Sequence, residues 1–179
     1  MPRPLILAHR GDWSRAEENS LDAFAAALRR PGVDGVEFDV RSARDGTPVV
    51  IHDATLGRLR GVRRRVRDLS VGELRELGVL TLAEILEALP APFFLDIELK
   101  EDIGARALPV ITGSRGDPPR EVAVSSFDAA TVGAIASAHP HIAITEALQI
   151  GRRAMRQRFH DLDGINLGHQ RGEHRGLVA

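Results

Sequence analysis

Short β-like runs alternate with amphipathic helical stretches along most of this chain, and that rhythm restricts the fold more than any other feature. Leu5–His9 reads as a first strand. In Ser20–Arg30, Leu21, Phe24, Ala25 and Leu28 fall at i, i+3, i+4 and i+7, a helix stopped by Pro31-Gly32. Val36–Val40 and Phe93–Lys100 alternate as strands. Between them, Thr81 and Glu84 form a capping box that opens a helix with Leu82, Ile85, Leu86 and Leu89 on one face, and Ser70 with Glu73 makes a second box. Strands follow at Glu121–Ser125, Ile142–Thr145 and Gly164–Leu167, with helices opened by Asp128 and near Arg152–Phe159. This layout predicts an α/β protein with helices around a parallel sheet, folded as a single domain over residues 1–179.

One connection breaks the rhythm. Only Arg41–Thr47 separates Val40 from the next strand, Pro48–His52, which is too short for a parallel crossover. Asp45-Gly46 is a hairpin turn signal. A two-residue loop pairs 44 with 47 and sets Asp39 opposite His52, on a shared face.

Strand alternation then sorts the acids. Glu37 and Asp39 lie opposite Val36, Phe38 and Val40; Asp96, Glu98 and Lys100 lie opposite Leu95, Ile97 and Leu99. A sheet with one solvated face would account for both patterns. Strands interleaved with helices are covered outside, however, so the acids point into an interior, where carboxylates are costly unless paired or bound to metal. Glu37, Asp39 and Glu98 together offer three oxygen donors to a hard cation, Mg²⁺ or Ca²⁺.

Composition removes several function classes. No cysteine is present, so disulfides, thiol catalysis and thiolate metal sites are excluded. A net charge of -1 argues against nucleic-acid partners. No apolar run approaches a transmembrane length, and Leu5–Ala8 is too short for a signal-peptide core, so a cytoplasmic protein is expected. Of 24 basic residues, Lys100 is the single lysine.

His9-Arg10-Gly11 follows the first strand, and His52-Asp53 ends the hairpin. Two strand-end histidines beside three acids could divide general-base and general-acid duties. Arg10 with a flexible Gly11 suits a phosphate-handling turn.

Taken in order, Ala8-His9-Arg10-Gly11, Glu18-Asn19-Ser20 before Ala23-Phe24, Glu37-Phe38-Asp39-Val40, Asp45-Gly46, Val49–Asp53, Glu98-Leu99-Lys100 and Ser125-Ser126-Phe127-Asp128 resemble the glycerophosphodiester phosphodiesterase family. The resemblance reaches about residue 170. It implies a TIM-type (β/α) barrel and metal-dependent hydrolysis of glycerophosphodiesters to glycerol 3-phosphate and an alcohol. It also implies Glu37, Asp39 and Glu98 as metal ligands, His9 and His52 as catalytic residues, and Arg10 and Lys100 as phosphate cations. Glu17 stands where that family usually has a proline.

The last part of the chain departs from the pattern. The family's Trp-Thr-x-Asn-like motif and its final Gly-x-Asp-Gly-Ile-x-Thr-Asp-like strand are missing, so the barrel is expected to be incomplete, lacking about its last two strands. Bare edges would invite self-association. Two functions of different class follow: a working phosphodiesterase, or a truncated, catalytically weak or inactive relative that retains metal and phosphate binding. The arginines at 58, 60, 63, 64, 65 and 67 read as a solvated, mobile loop, with long-range attraction of an anionic substrate as the alternative. Trp13 could wall the pocket or pack in the core.

Overall fold

The computed structural model describes residues 5–89, 91–117, 119–150 and 154–159. The strands are β1 (Leu7–His9), β2 (Gly35–Ser42), β3 (Pro48–Val50), β4 (Phe94–Leu99), β5 (Val122–Ser126), β6 (Ala143–Ile150) and β7 (Ala154–Phe159). The helices are α1 (Leu21–Leu28), α2 (Gly57–Arg60), α3 (Val71–Glu76), α4 (Leu82–Ala88), α5 (Gly104–Arg115) and α6 (Ala129–Ala138). The sheet order is β1-β2-β4-β5-β6-β7, with β3 paired to β2. The β1-β2, β2-β4, β4-β5 and β5-β6 pairs are parallel, which makes an arc of a TIM-type barrel. The strand expected at Gly164–Leu167 lies outside the described residues.

Local chemistry explains the helix starts. Ser20 caps α1 by accepting from the Ala23 N–H, and both anticipated capping boxes form, at Ser70/Glu73 for α3 and Thr81/Glu84 for α4. Helix α5 has no counterpart in the sequence reading, because Gly104, Pro109 and Gly113 blur its pattern. It forms because Ala107, Leu108 and Ile111 are buried against the sheet's outer core. Tertiary burial overrides weak propensity there.

The outer core is the apolar parity of the strands. Val36, Phe38, Val40, Leu95, Ile97, Leu99, Val122 and Val124 pack with Phe24, Leu82, Ile85, Leu108 and Ile135 from the helices. Each large side chain fully buried here contributes about 1.5–3 kcal/mol. The opposite parity carries Glu37, Asp39, Asp96 and Glu98, all buried. That rules out the solvated acidic face.

Three local expectations need correction. The hairpin pairs Val40 with Val50, Arg41 with Val49 and Ser42 with Pro48, and the Ala43 N–H donates to the Thr47 carbonyl. The loop is therefore Arg44-Asp45-Gly46, three residues long. Gly46 has φ 85°, and its N–H closes a turn on Ala43. A left-handed third residue of this kind is what a three-residue hairpin requires. Asp39 accordingly faces Ile51, whose N–H donates to the Asp39 carbonyl, and His52 sits one residue beyond.

The second correction is at β7, which covers most of the segment expected to be a helix near Arg152–Phe159. It pairs antiparallel with β6, from Thr145–Phe159 to Ile150–Ala154. Three residues cannot carry a parallel crossover, so the chain returns beside β6 as an antiparallel neighbour.

The third concerns the arginine-rich stretch, which is folded. Leu56, Val66, Leu69, Leu74 and Val79 join Ala43, Val49 and Ile51 in a second buried cluster, with a 3-10 turn at Val66–Asp68. This small core fixes residues 43–79 at the carboxyl end of β2, beside the inward acids.

Candidate active site

The site begins where β1 ends. Arg10 and Gly11 both take left-handed backbone angles, φ 58° and 81°, and turn the chain sharply after His9. Gly11 also lies against α1, where an added Cβ would sit 2.7 Å from the Ala23 carbonyl carbon. The Arg10 N–H is anchored to the Glu37 carbonyl at 2.8 Å and reaches Glu37 Oε2 at 3.2 Å. The first loop is thereby tied to the acid-bearing strand β2.

From β2 and β4, parallel register sets Asp39 beside Glu98 and Glu37 beside Asp96. One carboxylate oxygen from each of Glu37, Asp39 and Glu98 lies within 4.8 Å of the others, the one such cluster among the described residues. Lys100 Nζ stands 3.0 Å from Asp39 Oδ1 and bonds to Glu98 Oε1. Arg10 Nε stands 3.0 Å from Asp39 Oδ2, and its Nη1 3.2 Å from Glu18 Oε1. Asn19 Nδ2 donates to Asp39 Oδ2 at 2.9 Å. His9 Nε2 lies 3.7 Å from Glu37 Oε2. Structure thus gathers His9, Arg10, Glu37, Asp39, Glu98 and Lys100 at one end of the sheet.

The electrostatics divide the three acids. Burial, reinforced by Asp39, Glu98 and Asp96, pushes the Glu37 carboxyl well above its ordinary range. Burial likewise pushes Glu98 up to about 7, despite the opposing Lys100 ammonium. For Asp39, burial is outweighed by Lys100, Arg10 and the Asn19 hydrogen bond, which hold it below its ordinary value. Asp39 Oδ1 is fully buried and has the Lys100 ammonium 3.0 Å away. A buried all-carboxylate donor set, with one acid held charged and two that resist ionisation without a cation, fits a hard divalent cation.

His52 is reached from the hairpin side. Its ring is half-buried, and its carbonyl accepts from Arg41 Nε at 2.7 Å. Burial lowers its pKa, Arg10 and Lys100 add to that, and Asp39 and Asp53 oppose it. Its Nδ1 lies 2.7 Å from Asp53 Oδ1.

Sequence reasoning missed the groups behind His52. Arg58 Nε donates to Asp53 Oδ2 at 2.6 Å, and its Nη1 donates to Glu18 Oε2 at 3.1 Å. Arg60 pairs with Glu17, and Arg64 with Glu73. These three arginines are therefore held in place. No spacing distinguished Arg58 among six arginines in ten residues. Asp96 was assigned to the inward parity without a role; it accepts from Ser125 Oγ at 2.8 Å, deep in the sheet interior. Trp13 is 41% exposed, so it is not core packing. Phe127 is equally exposed, with Lys100 Nζ 5.4 Å from its ring centre.

Residues 9–170 match the model of the glycerophosphoryl diester phosphodiesterase family. The chain belongs to this family. It is 29% identical over 167 residues to a glycerophosphodiester phosphodiesterase of Caldanaerobacter subterraneus, covering 83% of this chain and 68% of that protein. A Bacillus altitudinis relative is 37% identical over 113 residues, covering 55% of this chain and 46% of its own length. Among solved structures, a Thermotoga maritima glycerophosphodiester phosphodiesterase aligns with a TM-score of 0.72 at 32% identity, over 84% of this chain and 64% of that one. An Oleispira antarctica phosphodiesterase in complex with the product sn-glycerol-3-phosphate aligns with a TM-score of 0.71 at 26% identity, over 82% and 66%. The chain thus spans between 46% and 68% of the length of these four proteins. No helix among the described residues is long and apolar enough to cross a membrane.

Proposed function

We propose that this family member is a divalent-metal-dependent phosphodiesterase acting on glycerophosphodiesters, releasing glycerol 3-phosphate and an alcohol. The observation that carries the reading is the convergence of Glu37, Asp39 and Glu98 within 4.8 Å, with Lys100 and Arg10 in contact. Three acids alone would repel a phosphodiester. Two cations beside a metal-ready triad would bind one. The Oleispira antarctica neighbour, which holds sn-glycerol-3-phosphate, supports the substrate class.

Glu37, Asp39 and Glu98 would hold the cation, and their all-oxygen set suits Mg²⁺ or Ca²⁺. When bound, such an ion draws charge from phosphoryl oxygens and acidifies a nearby hydroxyl. Arg10 and Lys100 meet the phosphate, Arg10 as a planar fork and Lys100 as a compact point charge. His9 serves as base towards the attacking oxygen, which is water or the substrate's neighbouring glycerol hydroxyl. The tethered hydroxyl would gain from proximity: its attack would close a cyclic phosphate as the alkoxide leaves, and water would then open that ring to give glycerol 3-phosphate. His52 supplies the proton to the departing alkoxide, a poor leaving group without it.

A release assay for glycerol 3-phosphate from glycerophosphocholine, glycerophosphoethanolamine and glycerophosphoglycerol tests this directly. Turnover that disappears with a chelator and returns with Mg²⁺ or Ca²⁺ is the expected result. The alternative reading is a relative that binds metal and phosphate with little or no turnover. Metal and glycerol 3-phosphate binding without turnover would establish that one instead.

A further inference from the structure

The guanidinium of Arg58 joins two loops that each deliver a reactive group. On one side its Nε donates to Asp53 Oδ2 at 2.6 Å, and the other Asp53 oxygen lies 2.7 Å from His52 Nδ1. On the other side its Nη1 donates to Glu18 Oε2 at 3.1 Å and its Nη2 to Glu18 Oε1. That same Glu18 oxygen also takes Arg10 Nη1 at 3.2 Å. The path His52–Asp53–Arg58–Glu18–Arg10 therefore runs unbroken from the hairpin to the loop after β1. Arg58 touches neither His52 nor Arg10 directly.

Geometry, not proximity alone, gives this path a consequence. Arginine presents donors in a rigid planar fork, so occupying both carboxylates fixes their relative placement. Asp53, kept ionised by the Arg58 hydrogen bond first, with its carboxyl down at about 2, can only accept. An ionised Asp53 requires His52 Nδ1 to carry the proton. In neutral His52 the lone pair is then on Nε2, and Nε2 is the nitrogen through which a proton is exchanged. A His52 free of this restraint would populate both tautomers and several ring orientations.

We propose that Arg58 is a positioning residue that holds His52 in the Nδ1–H tautomer through Asp53 and braces Arg10 through Glu18. The inference rests on the assignment of His52 and Arg10 to the phosphodiester site. Its origin in this chain is α2, a single helical turn seated on the second core cluster through buried Leu56. The segment that was expected to be a mobile basic loop is the part of the molecule that couples the two sides of the site.

The test uses Arg58→Ala and Arg58→Lys in the full chain, with two readouts. Nitrogen chemical shifts of His52 report the tautomer whether or not the protein turns over. Wild type is expected to show protonated Nδ1 and bare Nε2 above the His52 pKa. Both variants should move towards a tautomer mixture, with Mg²⁺ affinity changed by less than about threefold, because Glu37, Asp39 and Glu98 are untouched. In the release assay, kcat should fall roughly 10- to 100-fold in Arg58→Ala, by analogy with the loss of a hydrogen-bond partner that orients a metal-ligating histidine. Arg58→Lys keeps the charge without the fork; its kcat loss should be smaller, and it guards against an alanine variant that fails to fold. An unchanged His52 tautomer in a folded variant overturns the inference. An unchanged kcat in active protein does so as well. Wild type that shows the Nδ1–H tautomer without turnover would overturn the proposed reaction while leaving the Arg58 link supported.

Discussion

Lys100 Nζ sits 3.0 Å from Asp39 Oδ1, so the chain's single lysine is spent on the most deeply buried carboxylate of the candidate metal site. Sequence position makes this contact: Lys100 shares inward parity with Glu98 two residues earlier, and parallel register sets Glu98 beside Asp39. A flexible point charge can lean between two acids where a planar guanidinium would be held by its fork. Removing Lys100 would take away the cation that Glu98 pairs with and leave Asp39 to Arg10 alone.

Lys100→Ala is expected to weaken glycerol 3-phosphate binding by about tenfold or more, the worth of one charge-assisted contact. Arg63→Ala and Arg65→Ala, on the exposed part of the 58–67 segment, should each change it less than about threefold. Calorimetric titration at matched ionic strength separates the two cases. Equal losses would mean that the surface arginines hold the phosphate.

Metal-free protein should lose stability as pH rises from about 5 to 7.5. Glu98 ionises near 7 when folded and near 4.5 when unfolded, so the folded state binds the extra proton within that window. Stability therefore falls as pH climbs, by roughly 3 kcal/mol at full effect, and the loss is complete above the folded value. His52 acts in the opposite direction, because its lowered pKa favours the neutral folded form as pH rises. Urea denaturation of wild type against Glu98→Gln isolates the acid. If the two pH profiles superimpose, Glu98 is not the group that titrates.

Metal binding should be tighter at pH 8 than at pH 6, with protons released on binding. Glu37 and Glu98 must ionise to act as ligands, and burial opposes that in the free protein. Titrations in buffers of different ionisation enthalpy count the protons. Asp39→Asn should abolish the binding, since it neutralises the acid that stays charged. Retained affinity in that variant would place the cation elsewhere.

If the chain turns over, its pH–rate profile should be bell-shaped, and either His9→Ala or His52→Ala should remove one limb or nearly all activity. The decisive substrate is a diester with an ordinary alkyl leaving group. Full rate from His52→Ala on that substrate would rule out the two-histidine mechanism.

Gly11→Ala should destabilise the fold by about 2–3 kcal/mol or more. A side chain there meets φ 81° and a backbone carbon at 2.7 Å, strain and overlap together. Thermal and urea unfolding read the loss directly. Gly32→Ala is the comparison: it carries a similar φ of 84° with open space around it, so it should cost only the strain.

Much of this molecule is set by periodicity. Alternation along Val36–Val40 and Leu95–Lys100 assigns each side chain to a face, and helices between strands assign the faces to outside and inside. Glu37, Asp39 and Glu98 were therefore readable as a cluster before any coordinates. Capping boxes at Ser70 and Thr81 were equally readable, because both partners lie within four residues. Local signals determined local outcomes.

Tertiary structure decided what depends on distant partners. The hairpin loop has three residues rather than two because the pairing of β2 with β3 includes Ala43 with Thr47, and that moves His52 one place past Asp39. The segment near 154–159 is a strand because β6 offers an edge at three residues' distance, a competition no window of sequence contains. Arg58 is fixed because Glu18, forty residues earlier, and Asp53 meet at its guanidinium. Periodicity places a side chain on a face, but an ion pair is chosen by which backbones the fold brings within about 3 Å, and that is settled only when the core closes.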